Sequence, residues 1–149
     1  MEASKLPITF TIYTDGGSRG NPGPAASACV VKDSAGKVRV ISGKYLGRAT
    51  NNYAEYQGVV LAYEELAKMP SIDTTTLIIK FNLDSKLVVN QLNGLFKIKD
   101  PAIREAVVKI KGLENMFSQV SYTYIPREKN TFADRIVNET LDQSTKFKS

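Results

Sequence analysis

Four acidic residues stand where a side chain can do chemistry. Asp15 closes an apolar strand in YTDGGSRGNPGPAA, and Glu55 lies in the first turn of a helix in GRATNNYAEYQGV. Asp84 falls between a strand and the helix of DSKLVVNQLNG, and Asp134 sits near a helix start in REKNTFADRIVNETLD. Each also has a local explanation. An aspartate before Gly-Gly suits a turn. Glu55 fits a capping box headed by Asn52, Asp84 fits an N-cap, and Asp134 fits a capping box headed by Thr131. Yet Glu55 shares a helical stripe with Val59, Ala62 and Leu66, and Asp134 shares one with Val137 and Leu141. A carboxylate heading a core-facing stripe needs a partner, because burying it unpaired is costly.

The rest of the composition narrows the chemistry. The chain has no histidine and a single cysteine, Cys29, within an apolar stretch. That removes imidazole bases and ligands, serine–histidine triads, cysteine zinc sites and any intramolecular disulfide. Cys29 reads as a buried structural thiol. Catalysis must then rest on carboxylates, lysines, tyrosines or bound metal ions. If the four carboxylates meet, their repulsion calls for cations. Hard divalent ions with oxygen ligands answer that need, and Mg²⁺ suits few protein ligands combined with substrate phosphates. Two such ions can clamp the attacking and leaving oxygens of a phosphodiester.

The elements that would bring these residues together follow from periodicity. Residues 8–14 alternate, with Ile8, Phe10 and Ile12 on one side and Thr9, Thr11 and Tyr13 on the other, and predict a strand. Strands are also expected over 26–32, 38–45, 76–82 and 120–125. Helices are expected over 53–69, stopped by Pro70, over a short run ending at Gly94, from Pro101 to about Phe117, and from Thr131 to about Asp142, with a frayed tail. Short connections make the first three strands an antiparallel meander, and right-handed crossovers make the later strands parallel. The expectation is an α/β fold with a five-stranded mixed sheet and helices on both faces. Asp15 and Asp84 then lie at one sheet edge, and the helices carrying Glu55 and Asp134 start there.

The chain has 149 residues, 42% hydrophobic and 23% charged, which fits one domain with a sizeable core. Residues 1–149 read as a single domain, ordered over about 8–142. No apolar run approaches the roughly 20 residues that span a bilayer, and no signal-peptide pattern opens the chain. A cytoplasmic monomer without membrane partners is the default expectation. The net charge of +5, from 20 basic and 15 acidic residues, permits a polyanionic partner without establishing one.

The four quoted segments resemble type 1 ribonuclease H, the enzymes that cut the RNA strand of RNA–DNA hybrids. They occur in the family's order, with 40 residues from Asp15 to Glu55, 29 to Asp84 and 50 to Asp134. The likeness spans roughly residues 8–142. It implies that Asp15, Glu55, Asp84 and Asp134 are the catalytic, metal-binding set. Asp15 would bridge two Mg²⁺ ions in the substrate complex, with Mn²⁺ as a substitute ion. Glu55 and Asp84 would complete one shell, and Asp134 would serve the other. Products would carry a 5′-phosphate and a 3′-hydroxyl.

The resemblance also implies substrate contacts. Gly16, Gly17, Ser18, Arg19 and Asn21, with Asn51 and Asn52, match segments that sense RNA 2′-hydroxyls. Arg48 and Thr50 match positions that grip a DNA phosphate. Two departures stand out. The loop PREKNTFAD lacks the histidine many members carry there, leaving Glu128 or Lys129 as substitutes. NGLFKIKDP joins two helices directly, so the basic, tryptophan-rich handle of some members is missing, and Lys86, Lys97 and Lys99 supply part of that charge. Weaker hybrid affinity with strong salt dependence is expected. Two other readings share the fold: a non-catalytic hybrid-binding module and a related metal-dependent DNA nuclease.

Overall fold

The computed structural model describes residues 8–69, 73–94 and 97–148. Three strands open the chain: β1 (Ile8–Ser18), β2 (Gly23–Lys32) and β3 (Val38–Ala49). Then come α1 (Asn51–Ala67), β4 (Leu77–Leu83), α2 (Lys86–Leu92), α3 (Pro101–Glu114), β5 (Gln119–Tyr124) and α4 (Thr131–Lys148). Short 3-10 turns precede β4 at Thr74–Thr76 and α4 at Arg127–Lys129. The strands form one sheet in the order β3-β2-β1-β4-β5. Strands β1, β2 and β3 pair antiparallel, whereas β4 is parallel to both β1 and β5.

Helices cover both faces of this sheet. On one face Phe10, Ile12, Cys29, Val31, Ile79 and Phe81 belong to a core shared with α1, α2 and α3. On the other, Ala26 and Ala28 meet Val137 and Leu141 of α4. Burial on both sides explains why β2 is small or apolar on both faces up to Val31, with Ser27 its one buried polar residue, rather than alternating. Cys29 is fully buried, and burial pushes its thiol up to about 12, as suits an inert core residue.

Several boundaries differ from expectation, and one matters. β1 does not end at Asp15. Its antiparallel ladder with β2 continues to the Ser18–Ala25 pair, while its parallel ladder with β4 stops at Tyr13–Asn82. Asp15 therefore stands where two neighbouring strands part, held in position by its pairing with Ala28. It is a strand residue, not a turn residue. α1 begins at Asn51, earlier than expected, because Thr50 caps it. β3 continues to Ala49, α3 ends at Glu114 rather than near Phe117, and α4 runs on to Lys148. Pro70, read as the stop of α1, lies outside the described residues. No described helix is long and apolar enough to cross a membrane.

Candidate active site

Carboxylate oxygens of Asp15, Glu55 and Asp84 lie within 4.8 Å of one another. Three elements converge to achieve this. Asp15 comes from the part of β1 that outruns β4, and Asp84 directly follows β4. Glu55 comes from α1, which lies unusually close to β1. A methyl group at Gly16 would overlap the Ala54 carbonyl and come within 2.5 Å of the Glu55 nitrogen. One at Gly58 would sit 2.8 Å from the Asp15 carbonyl oxygen. The absence of side chains at both positions lets helix and strand backbones touch. The buried Ser27 hydroxyl adds a bond from β2 by donating to the Ala54 carbonyl at 2.6 Å.

None of these three carboxylates caps a helix. Thr50 caps α1 by accepting from the Tyr53 amide at 3.1 Å, so Asn52 is not the cap and Glu55 lies beyond the first turn. Ser85, not Asp84, caps α2 by accepting from the Val88 amide. Both acids are thus freed from local duty.

The electrostatics are those of crowded anions. Asp15 is only 9% exposed. Burial first, then the Asp84 and Glu55 carboxylates, pushes its carboxyl up to about 8, against a bond from the Gly16 amide. Burial and Asp84 push Glu55 up to about 7, opposed by the Arg127 guanidinium and a hydrogen bond from Ser85. Three close oxygen donors with surplus negative charge fit a hard divalent cation and suit a soft one poorly.

Asp134 faces the same cleft from the first turn of α4, set back from the tight trio but near enough to raise Asp15 further. The cleft measures about 190 Å³. Gly16, Gly17, Ser18, Arg19 and Asn51 also border it. Here the candidate contacts are wired to one another. The Ser18 amide donates to Asn51 Oδ1 at 3.2 Å, and the Asn51 amide donates to Asn21 Oδ1 at 3.0 Å. The Arg19 guanidinium lies 2.7 Å from the Asp142 carboxylate and donates to the Asn138 carbonyl. Thr50 is engaged as a cap, Asn52 is half-buried one residue past Asn51, and Arg48 is exposed at the end of β3. Lys86 lies over the Tyr124 ring at 5.1 Å. Lys97 and Lys99 are exposed.

Two residues at the site escape sequence reasoning. Arg127 borders the cleft, whereas Lys129 borders a separate cavity with Lys32 and Tyr13. Asn130 is 1% exposed and donates to both the Thr14 carbonyl and the Asp84 carboxylate. Its place one helical turn before Asp134 was the available signal.

Comparison with known proteins shows the family and the fold. A family described as reverse transcriptase-like matches residues 13–140. Ribonuclease HI of Halobacterium salinarum is 40% identical over 132 residues, covering 89% of this chain and 64% of that protein. Its crystal structure superposes with a TM-score of 0.83, covering 91% of this chain and 98% of the other. The chain belongs to the type 1 ribonuclease H family. A bifunctional protein of Mycobacterium tuberculosis is 38% identical over 136 residues. The match covers 91% of this chain but 36% of the mycobacterial protein, so the chain spans about a third of that relative. The N-terminal ribonuclease H domain of the same protein superposes with a TM-score of 0.85 at 36% identity, covering 95% of this chain and 99% of the domain structure. A ribonuclease H1 isolated from compost, solved in complex with an RNA/DNA hybrid, is 37% identical with a TM-score of 0.81, covering 91% of this chain and 99% of the other.

Proposed function

We propose that this chain is a single ribonuclease H domain that hydrolyses the RNA strand of RNA–DNA hybrids, leaving 5′-phosphate and 3′-hydroxyl ends. The observation that carries the reading is the convergence of Asp15, Glu55 and Asp84 within 4.8 Å in a chain of this family. Asp15, Glu55 and Asp84 would hold one Mg²⁺, and Asp15 with Asp134 a second, with Mn²⁺ able to substitute. Ions held there would supply acidification of an attacking water and neutralisation of charge on the departing 3′ oxygen.

The chain's own residues do the rest. The Gly16–Ser18 segment and Asn51 form one bonded unit at the rim of the cleft. Asn51 accepts through its oxygen, leaving its amide donors for a ribose 2′-hydroxyl, a group that both donates and accepts. Arg127 places a permanent positive charge beside the cleft for a phosphate of the cut strand. Arg48, exposed at the end of β3, with Thr50 and Lys86 at the starts of α1 and α2, would contact phosphates of the DNA strand.

The test is direct. Labelled RNA–DNA hybrid, duplex DNA and duplex RNA are incubated with the protein, with and without Mg²⁺. Cleavage of the hybrid alone, lost by at least about a hundredfold in Asp84→Asn, is the expected result. Binding of hybrid without cleavage under any divalent ion would instead make the chain a binding module. Cleavage of duplex DNA would make it a DNA nuclease.

A further inference from the structure

Asn130 connects three of the four elements that carry carboxylates. Its Nδ2 donates at 2.8 Å to the Thr14 carbonyl, one residue before Asp15, and at 3.0 Å to Asp84 Oδ2. Its own carbonyl accepts from the Asp134 amide at 3.2 Å. Both side-chain partners are pure acceptors, so the group between them must be one nitrogen bearing two hydrogens. An amide supplies this, whereas a carboxylate or a hydroxyl does not. The cost is visible, because Asn130 Oδ1 is buried with no hydrogen-bond partner. A buried carbonyl left unpaired disfavours the fold. The side chain is therefore oriented for its nitrogen.

We propose that Asn130 is a positioning residue that fixes the rotation of the Asp84 carboxylate and ties it to the end of β1, thereby setting the spacing of the cation-holding trio. The inference rests on the trio being the cation site proposed above. By occupying a lone pair on Asp84 Oδ2, the amide orients the carboxylate and so sets the directions in which its remaining lone pairs point. Outer partners of this kind typically change metal affinity roughly 10–100-fold when removed.

The experiment compares wild type with Asn130→Ala and Asn130→Leu. Leu keeps the volume but removes both donors. Mg²⁺ binding is measured calorimetrically without nucleic acid, at a temperature where each variant is folded, alongside the metal-free melting temperature and KM for the hybrid. Both variants are expected to weaken Mg²⁺ binding roughly 10-fold or more, while KM at saturating Mg²⁺ stays within about twofold. Asn130→Leu should recover part of the melting temperature lost in Asn130→Ala without recovering Mg²⁺ affinity. If Leu restores both together, the residue only fills space, and the proposal fails. Wild-type Mg²⁺ affinity in either folded variant also overturns it, as does an absence of Mg²⁺ binding by the wild type. A wild type that binds Mg²⁺ but cuts no hybrid sinks the catalytic reading alone, since the order of affinities still tests Asn130.

Discussion

Arg127 reaches the carboxylate cleft from the 3-10 turn after β5, and its charge draws Glu55 down against the burial that raises it. The loop has no histidine, and from the sequence Glu128 and Lys129 were only residues able to stand in for it. Geometry favours their neighbour, because Lys129 borders a different cavity. Arg127→Ala is expected to lower kcat roughly tenfold or more, and Lys129→Ala to leave it within about twofold. At saturating Mg²⁺ the rate should climb with pH without an inflection near about 6.5, the ordinary histidine value. Steady-state kinetics on a hybrid across pH would check both statements. A larger effect from Lys129→Ala would return the role to that residue.

Close approach of α1 to β1 is the feature that places Glu55 beside Asp15, and it depends on two glycines. A methyl group at Gly16 meets backbone atoms of Ala54, which cannot rotate aside. Gly16→Ala is therefore expected to destabilise the fold by about 3 kcal/mol, the upper end of ordinary overpacking. The pushed-out helix should also weaken Mg²⁺ binding. Gly112 in α3 provides the contrast, since a methyl group there meets nothing within 4 Å. Gly112→Ala should stabilise by about 0.5–1 kcal/mol through helix propensity alone. Urea unfolding of the two variants compares the effects on one scale. The Arg19–Asp142 pair that ties the loop after β1 to α4 is exposed on both sides. Its contribution to stability is accordingly small, at most about 1 kcal/mol.

Stability of the whole molecule should respond to pH through the same carboxylates. Asp15 and Glu55 are raised to about 8 and about 7 in the metal-free fold, against ordinary values near 4 in the unfolded chain. Between these limits the folded state holds more protons than the unfolded one. Their contribution to stability is fully present below about pH 4 and is lost as pH rises through about 7 to 8. In a chelator, Asp15→Asn should thus gain melting temperature relative to wild type as pH rises from about 5 to about 8.5. Mg²⁺ should close that gap by stabilising the wild type. A gap that stays flat with pH would show that the anions are compensated within the fold. Binding of nucleic acid reflects the whole surface as well. With Arg48, Lys86 and Arg127 as phosphate contacts, KM should rise roughly ten- to fiftyfold from about 50 to about 200 mM salt.

The sequence by itself determined the strands and helices, because alternating and helical periodicities depend only on neighbours along the chain, and the lengths of the connections set which strands run antiparallel and which parallel. It also carried the four carboxylates, since the absence of histidine left few other residues for the chemistry. Their local explanations were where it misled. Asn52 and Asp84 were plausible caps, yet Thr50 and Ser85 took those roles, freeing the acids to face one another. Only the tertiary structure decided that β1 continues past Asp15 and that two glycines let α1 touch it. The same holds for Arg127 and Asn130, which enter the site from the turn before α4. Such contacts join residues up to 116 positions apart, as Thr14 and Asn130 are. Their distances depend on how whole elements pack, and no local pattern encodes that.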